Sequence, residues 1–107
     1  MKVKILGVPY TVEIKDREED PRLATRDGYI DKHAKSIVVA KFVLDEDTTD
    51  NIESYADQVA RHEIIHAYLY ESGLDCESLW AINEEMIDWI SIQLPKMIKT
   101  MEKIECL

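Results

Sequence analysis

Two histidines four positions apart, with a glutamate directly after the first, occupy Arg61-His62-Glu63-Ile64-Ile65-His66. On a helix, residues at i and i+4 share one face a turn apart, so both imidazoles can reach a single ion while the Glu63 carboxylate stands beside it. Zinc held by His62 and His66 at about 2.0–2.1 Å would activate a water, and Glu63 would take its proton as general base. The chemistry such a trio supports is hydrolysis of an amide bond. The plainer reading is a pair of hydrogen-bonded core histidines. Burying two imidazoles and a carboxylate without a partner is costly, however, and a metal ion offsets that cost directly.

The elements around the motif have to place it. Asp50 and Glu53 read as an N-cap with its capping-box partner, and Gly73 falls where a glycine in the left-handed conformation would end the same helix. Ile52, Tyr55, Val59 and Leu69 recur at helical spacing, and His62 and His66 continue their stripe, so the ligands should face inward. From Ile64 to Tyr70 the chain is apolar nearly all round, the pattern of a central, buried helix. A third ligand should come from a second helix through Leu79 to Ile90, capped by Ser78 or Asp75 and interrupted near Pro95. An antiparallel return through Ser72-Gly73-Leu74-Asp75 brings Glu84 or Glu85 back toward the histidines. Glu84 is favoured, because Asp88 lies one turn later on its face and can fix a ligand histidine's tautomer, and Asn83 directly precedes it. Glu85 has Ala81 and Trp89 as one-turn neighbours, an apolar setting. The competing view of these acids is a solvated helix face.

With these residues the sequence resembles the gluzincin metallopeptidases, in which the histidine motif is followed by a glutamate ligand on a second helix. Asn83-Glu84-Glu85-Met86-Ile87-Asp88 looks like the thermolysin-type Asn-Glu-x-x-x-Asp segment, and the short chain points to the compact ImmA/IrrE-like and mini-gluzincin members. The resemblance implies a zincin-like domain over residues 1–107, with His62, His66 and Glu84 as zinc ligands and Glu63 as catalytic base. It also implies that Asn83 and Asp88 hydrogen-bond the ligand histidines. Ile65 stands where ImmA-like chains usually carry glycine, so the likeness is to the clan. SprT-like proteases share the His-Glu-x-x-His-Ala opening through Ala67 but use basic DNA-binding surfaces, which this chain lacks.

Composition bounds the partners. Twenty-two acidic against 13 basic residues give a net charge of −9, a field that repels nucleic-acid backbones and anionic membranes. The acids at 18–20 and 45–47 need no function beyond a solvated surface. The 107 residues, 46% of them hydrophobic, suit one domain with a modest core. No segment has the length of a membrane span or the core of a signal peptide, and Cys76 and Cys106 have no metal-type spacing, so a cytoplasmic protein with two free thiols is expected. A sharper role for Cys106, folding back onto the metal as a latency device, competes with the reading of an exposed terminal thiol.

Ahead of the helices the pattern is strand-like. Val3–Leu6 and Tyr10–Ile14 around Gly7-Val8-Pro9, then Tyr29–Asp31 and Ser36–Ala40 around Lys32–Lys35, read as two hairpins. Strands first and helices second predict an α+β fold, with a sheet of about four short strands packed on the active-site helix. In the clan the strand nearest the cleft pairs with the substrate peptide, and Ile37–Ala40 is the expected one. His33, Tyr29, Tyr68 and Tyr70 are the available donors to a developing oxyanion. The expected function is zinc-dependent hydrolysis of peptide bonds in a peptide or protein substrate. The alternative is a zinc-binding regulatory or interaction module of a phage or mobile element that cleaves nothing measurable.

Overall fold

The computed structural model describes residues 1–42 and 52–107. Strands β1 (Lys2–Ile5), β2 (Val8–Lys15), β3 (Gly28–Asp31) and β4 (Ser36–Ala40) are followed by helices α1 (Ile52–Glu71) and α2 (Glu84–Lys103). The expected α+β arrangement of a four-stranded sheet and two helices is present; the expected Asp50–Glu53 capping box lies outside the described residues.

Strand β1 turns into β2 through Leu6 and Gly7, both at positive φ, with Ile5 opposite Val8. A two-residue turn with both φ values positive matches the twist of the strands it joins, and Gly7 adopts it without strain. The turn is therefore tighter than the expected Gly7-Val8-Pro9, and Val8 and Pro9 belong to the strand. Pro9 is tolerated there because β2 pairs with β4 only from Thr11 onward, so its absent N–H interrupts no bond on that side. The second hairpin joins β3 to β4, its turn held by Asp31, whose carboxylate accepts the amides of His33 and Ala34. Strands β2 and β4 run parallel, giving a mixed sheet of order β1-β2-β4-β3.

Both faces of β4 are covered. Ile37 packs with Ile5, Tyr10 and Ala67 on the α1 side, while Val38 and Ala40 meet Leu23 and Tyr29 on the other. Leu23 comes from a short helical turn that Asp20 caps by accepting the Arg22 amide. The expectation that Ile37–Ala40 receives substrate is corrected by this topology: β4 is interior, paired on both sides, and the open edge next to α1 is β3. Only Gly28 fits where β3 begins. A Cβ there would stand 2.8 Å from Val59 Cγ1 and 3.0 Å from the Val38 carbonyl oxygen.

Helix α1 is less enclosed than its apolar run predicts. Glu63 and Ala67 are buried against the sheet, whereas Tyr68 points to solvent. Its C-terminal end is tied down where Glu71 accepts from the Tyr10 hydroxyl at 2.7 Å and from Lys35 at 2.6 Å. Gly73, at φ +80°, follows in the left-handed conformation as expected.

The second helix differs from its expected span. Leu79–Ile82 form a separate short turn, and Asn83 is the N-cap, accepting the Met86 amide at 2.9 Å. At the other end α2 continues through Pro95. Proline removes the amide that would bond the carbonyl four residues earlier, that of Ser91, and this oxygen instead accepts from Arg61 Nε of α1 at 2.7 Å.

Candidate metal centre

Helix α1 presents His62 and His66 on one face, ring centroids 4.9 Å apart. Helix α2 packs against α1, and its first residue, Glu84, reaches across to both. The Glu84 carboxylate oxygens lie 2.9 Å from His62 Nε2 and 3.0 Å from His66 Nε2, and the two Nε2 atoms are 3.2 Å apart. His62, His66 and Glu84 thus offer three ligand atoms within 4.8 Å of one another, a group close enough to hold a metal ion. Around an ion with bonds of about 2.0–2.1 Å, tetrahedral donors stand about 3.3–3.4 Å apart, and the two imidazole nitrogens already have nearly that spacing.

The surroundings suit that use. Burial holds the His66 imidazole below its ordinary pKa, keeping it neutral and its lone pair available. Asp88 Oδ1 lies 3.4 Å from His62 Nδ1, on the side of the ring away from the cluster, where a carboxylate fixes the tautomer that leaves Nε2 free. Glu63 stands apart from the three. It is 8% exposed, and desolvation, aided by the nearby Glu84 charge, pushes its carboxyl up to about 7, while His62 and Arg26 pull the other way.

Glu63 lies where two clefts meet along the β3 edge. One is lined by Asp27, Gly28, Tyr55, His62 and Asp88; the other by Arg26, Ile30, Lys32, His66 and Glu84. Of the expected residues, His62, Glu63, His66, Glu84 and Asp88 come together. Glu85 does not; it lines a separate cavity with Trp80, Met86 and Trp89. Asn83 departs from the role implied by resemblance, since its side-chain oxygen caps α2.

Of the expected oxyanion donors, Tyr29 lines the second cleft, but each of the four has its polar group engaged or exposed away from the cluster. The Tyr29 hydroxyl donates to buried Asp20, Tyr70 stacks under Lys32 and Lys35, and His33 and Tyr68 are exposed. Cys76 and Cys106 are free and exposed, and neither joins the cluster. Two lining residues went unread in the sequence. Tyr55 stands two turns before His62, on a helical stripe that assigned it to the core; its hydroxyl donates to Asp27. Arg26 sits in a polar loop with no local pattern to single it out. No helix among the described residues is long and apolar enough to cross a membrane. No protein-family model, no curated protein and no solved structure matches this chain.

Proposed function

We propose that the protein is a zinc metallopeptidase of gluzincin type, with a zincin-like domain that hydrolyses peptide bonds. The observation that carries this reading is the convergence of His62, His66 and Glu84 beside a buried, separately held Glu63. Neutral imidazoles and one carboxylate are the donor set that zinc prefers at catalytic sites with three protein ligands. Zinc bound there would polarise the scissile carbonyl and lower the pKa of a coordinated water to about 7.

The remaining work falls to the chain. Glu63, buried beside the histidines, would take a proton from the attacking water and return it to the leaving amine. Asp88 orients His62. Arg26, in the cleft with Glu63 and His66, is the cation available to negative charge developing on the carbonyl oxygen, since Lys32 beside it is paired with Asp75 at 2.9 Å. An extended substrate fits along the open edge of β3, its backbone pairing as an added strand.

Metal analysis of the purified protein should return one zinc per chain, and His62→Ala or His66→Ala should lose it. Glu63→Gln should keep the zinc and lose hydrolysis of a denatured protein substrate. A wild-type chain that takes up no zinc on titration would end this reading. Zinc uptake with no cleavage by wild type would leave a binding module in its place.

A further inference from the structure

Helix α2 and its C-cap residue, Ile104, carry an apolar row on the side turned away from α1. Met86, Trp89, Met97 and Ile104 are exposed, Trp89 at 55% and Ile104 at 71%, whereas Ile87 and Ser91 are the helix's buried positions. With Gln93 and Thr100 between them, they recur in steps of three and four, which aligns them along one stripe. A row of large exposed apolar side chains of this kind suits an interaction surface. At its N-terminal end the row opens into the solvent-facing cavity between Trp80, Met86 and Trp89.

Charge selects the occupant. On one flank of the stripe, Glu85 stands near the start of the helix, Lys103 at its end and Lys96 near its middle, with Asp88 and Lys99 just outside them. Glu85, Lys96 and Lys103 project within about 20° of one another around the helix axis. When two identical helices pack antiparallel, the same flank of each comes together, so the acidic end of one meets the basic end of the other. The two ends of the flank are therefore complementary to each other, Glu85 to Lys103 and Asp88 to Lys99, while Lys96 lies beside the two-fold axis. Shape agrees: a two-fold axis at the level of Leu94 and Pro95 sets Ile104 of one copy over Met86 of the other, at the mouth of the Trp80–Trp89 cavity, and Glu85 beside Lys103.

We propose that the protein forms a two-fold symmetric dimer through α2, with Ile104 of each copy seated in the Trp80–Met86–Trp89 cavity of the other and Glu85 paired with Lys103 across the interface. Glu84 projects about 200° around the helix from Met86, so the dimer leaves the metal centre and its clefts open. The association does not depend on the metal or on any activity.

Sedimentation equilibrium on the full chain at micromolar concentration should give the mass of two chains. Trp89→Ser and Ile104→Asp should each give one chain, with circular dichroism unchanged. Glu85→Lys alone and Lys103→Glu alone should weaken association at least about tenfold, and the double exchange should restore it, because the two ends of the flank are then complementary again. This exchange decides the matter even should Trp89→Ser fail to fold, as both residues are exposed. A single-chain mass at about 100 µM wild type, or a dimer indifferent to Ile104→Asp and to the single charge reversals, overturns the proposal.

Discussion

Arg61 of α1 donates through Nε to the carbonyl oxygen of Ser91 in α2, 2.7 Å away. Ser91 is four residues before Pro95, so this arginine satisfies the one carbonyl that the proline leaves without its helical partner. The bond lies one residue before His62 in sequence and joins the helix bearing the histidines to the helix bearing Glu84. It therefore helps set how the two halves of the His62–His66–Glu84 group face each other.

Removing that donor should leave a buried carbonyl unsatisfied. Arg61→Leu is expected to cost about 1–3 kcal/mol in urea unfolding. Pro95→Ala resupplies the helical amide, so Arg61→Leu should cost markedly less in a Pro95→Ala background, the non-additivity of two changes that act on one acceptor. Simple additivity in this cycle would show that the arginine contributes through packing alone.

Glu84 and Glu85 are adjacent but face different surroundings, one the histidines and the other the Trp80–Trp89 cavity. Glu84→Gln should weaken zinc binding strongly, and Glu85→Gln should leave it near wild type. Asp88→Asn should fall between, about 10–100-fold weaker, as changes to a ligand's orienting partner typically are. Competition with a chromophoric chelator measures all three. Metal lost from Glu85→Gln but kept in Glu84→Gln would exchange the two assignments.

Asp20 gives the fold an acid-sensitive point. The Tyr29 hydroxyl first, then the Arg22 amide and charge, hold its carboxyl below the ordinary value of 3.8. A carboxyl whose pKa is lower folded than unfolded stabilises fully above the unfolded value, and that contribution disappears as pH falls through the folded value. Asp20→Asn should therefore be less stable than wild type at neutral pH, with the gap closing in acid. Unfolding midpoints from about pH 7 to about pH 2 check this, and a gap constant across that range would contradict it.

Gly28 lets β3 lie close under the helix that carries the histidines. Gly28→Ala would bring a methyl to 2.8 Å from Val59 Cγ1 and 3.0 Å from a backbone oxygen, and only the first of these can yield. A destabilisation of about 1–3 kcal/mol is expected from such overpacking. Val59→Ala should recover part of it. A neutral Gly28→Ala in chemical denaturation would mean that the strand edge shifts freely against α1.

Much of the candidate metal centre is legible in the sequence because its geometry is local. His62 and His66 meet through one helical turn, and the preference for Glu84 over Glu85 follows from their one-turn neighbours. The two hairpins are legible for the same reason, from alternation and turn residues. What the sequence hides is set by distant partners. Pro95 signals a break, and its rescue by Arg61 comes from another helix. The role of β4 depends on β2 running parallel to it, which no local pattern encodes, and with that goes the identity of the open edge. Asn83 suits either a cap or a histidine partner by residue type, and only the start of α2 decides between them. Arg26 reaches the cleft because its loop leads into β3.

The parallel pairing of β2 with β4 also bears on the order of assembly. Each hairpin closes over a short turn, and such closures take microseconds. Thr11 and Ser36, by contrast, pair across the whole intervening loop and β3, so the sheet's central seam waits on a slower search. Helix α1, which carries the histidines, rests on that seam through Ala67 and Ile37, and Glu84 reaches the histidines only once α2 has docked. A ligand set completed so late contributes little to the transition state, so metal loading should retard unfolding far more than it speeds folding, and the loaded protein should persist by the slowness of its escape from the native state.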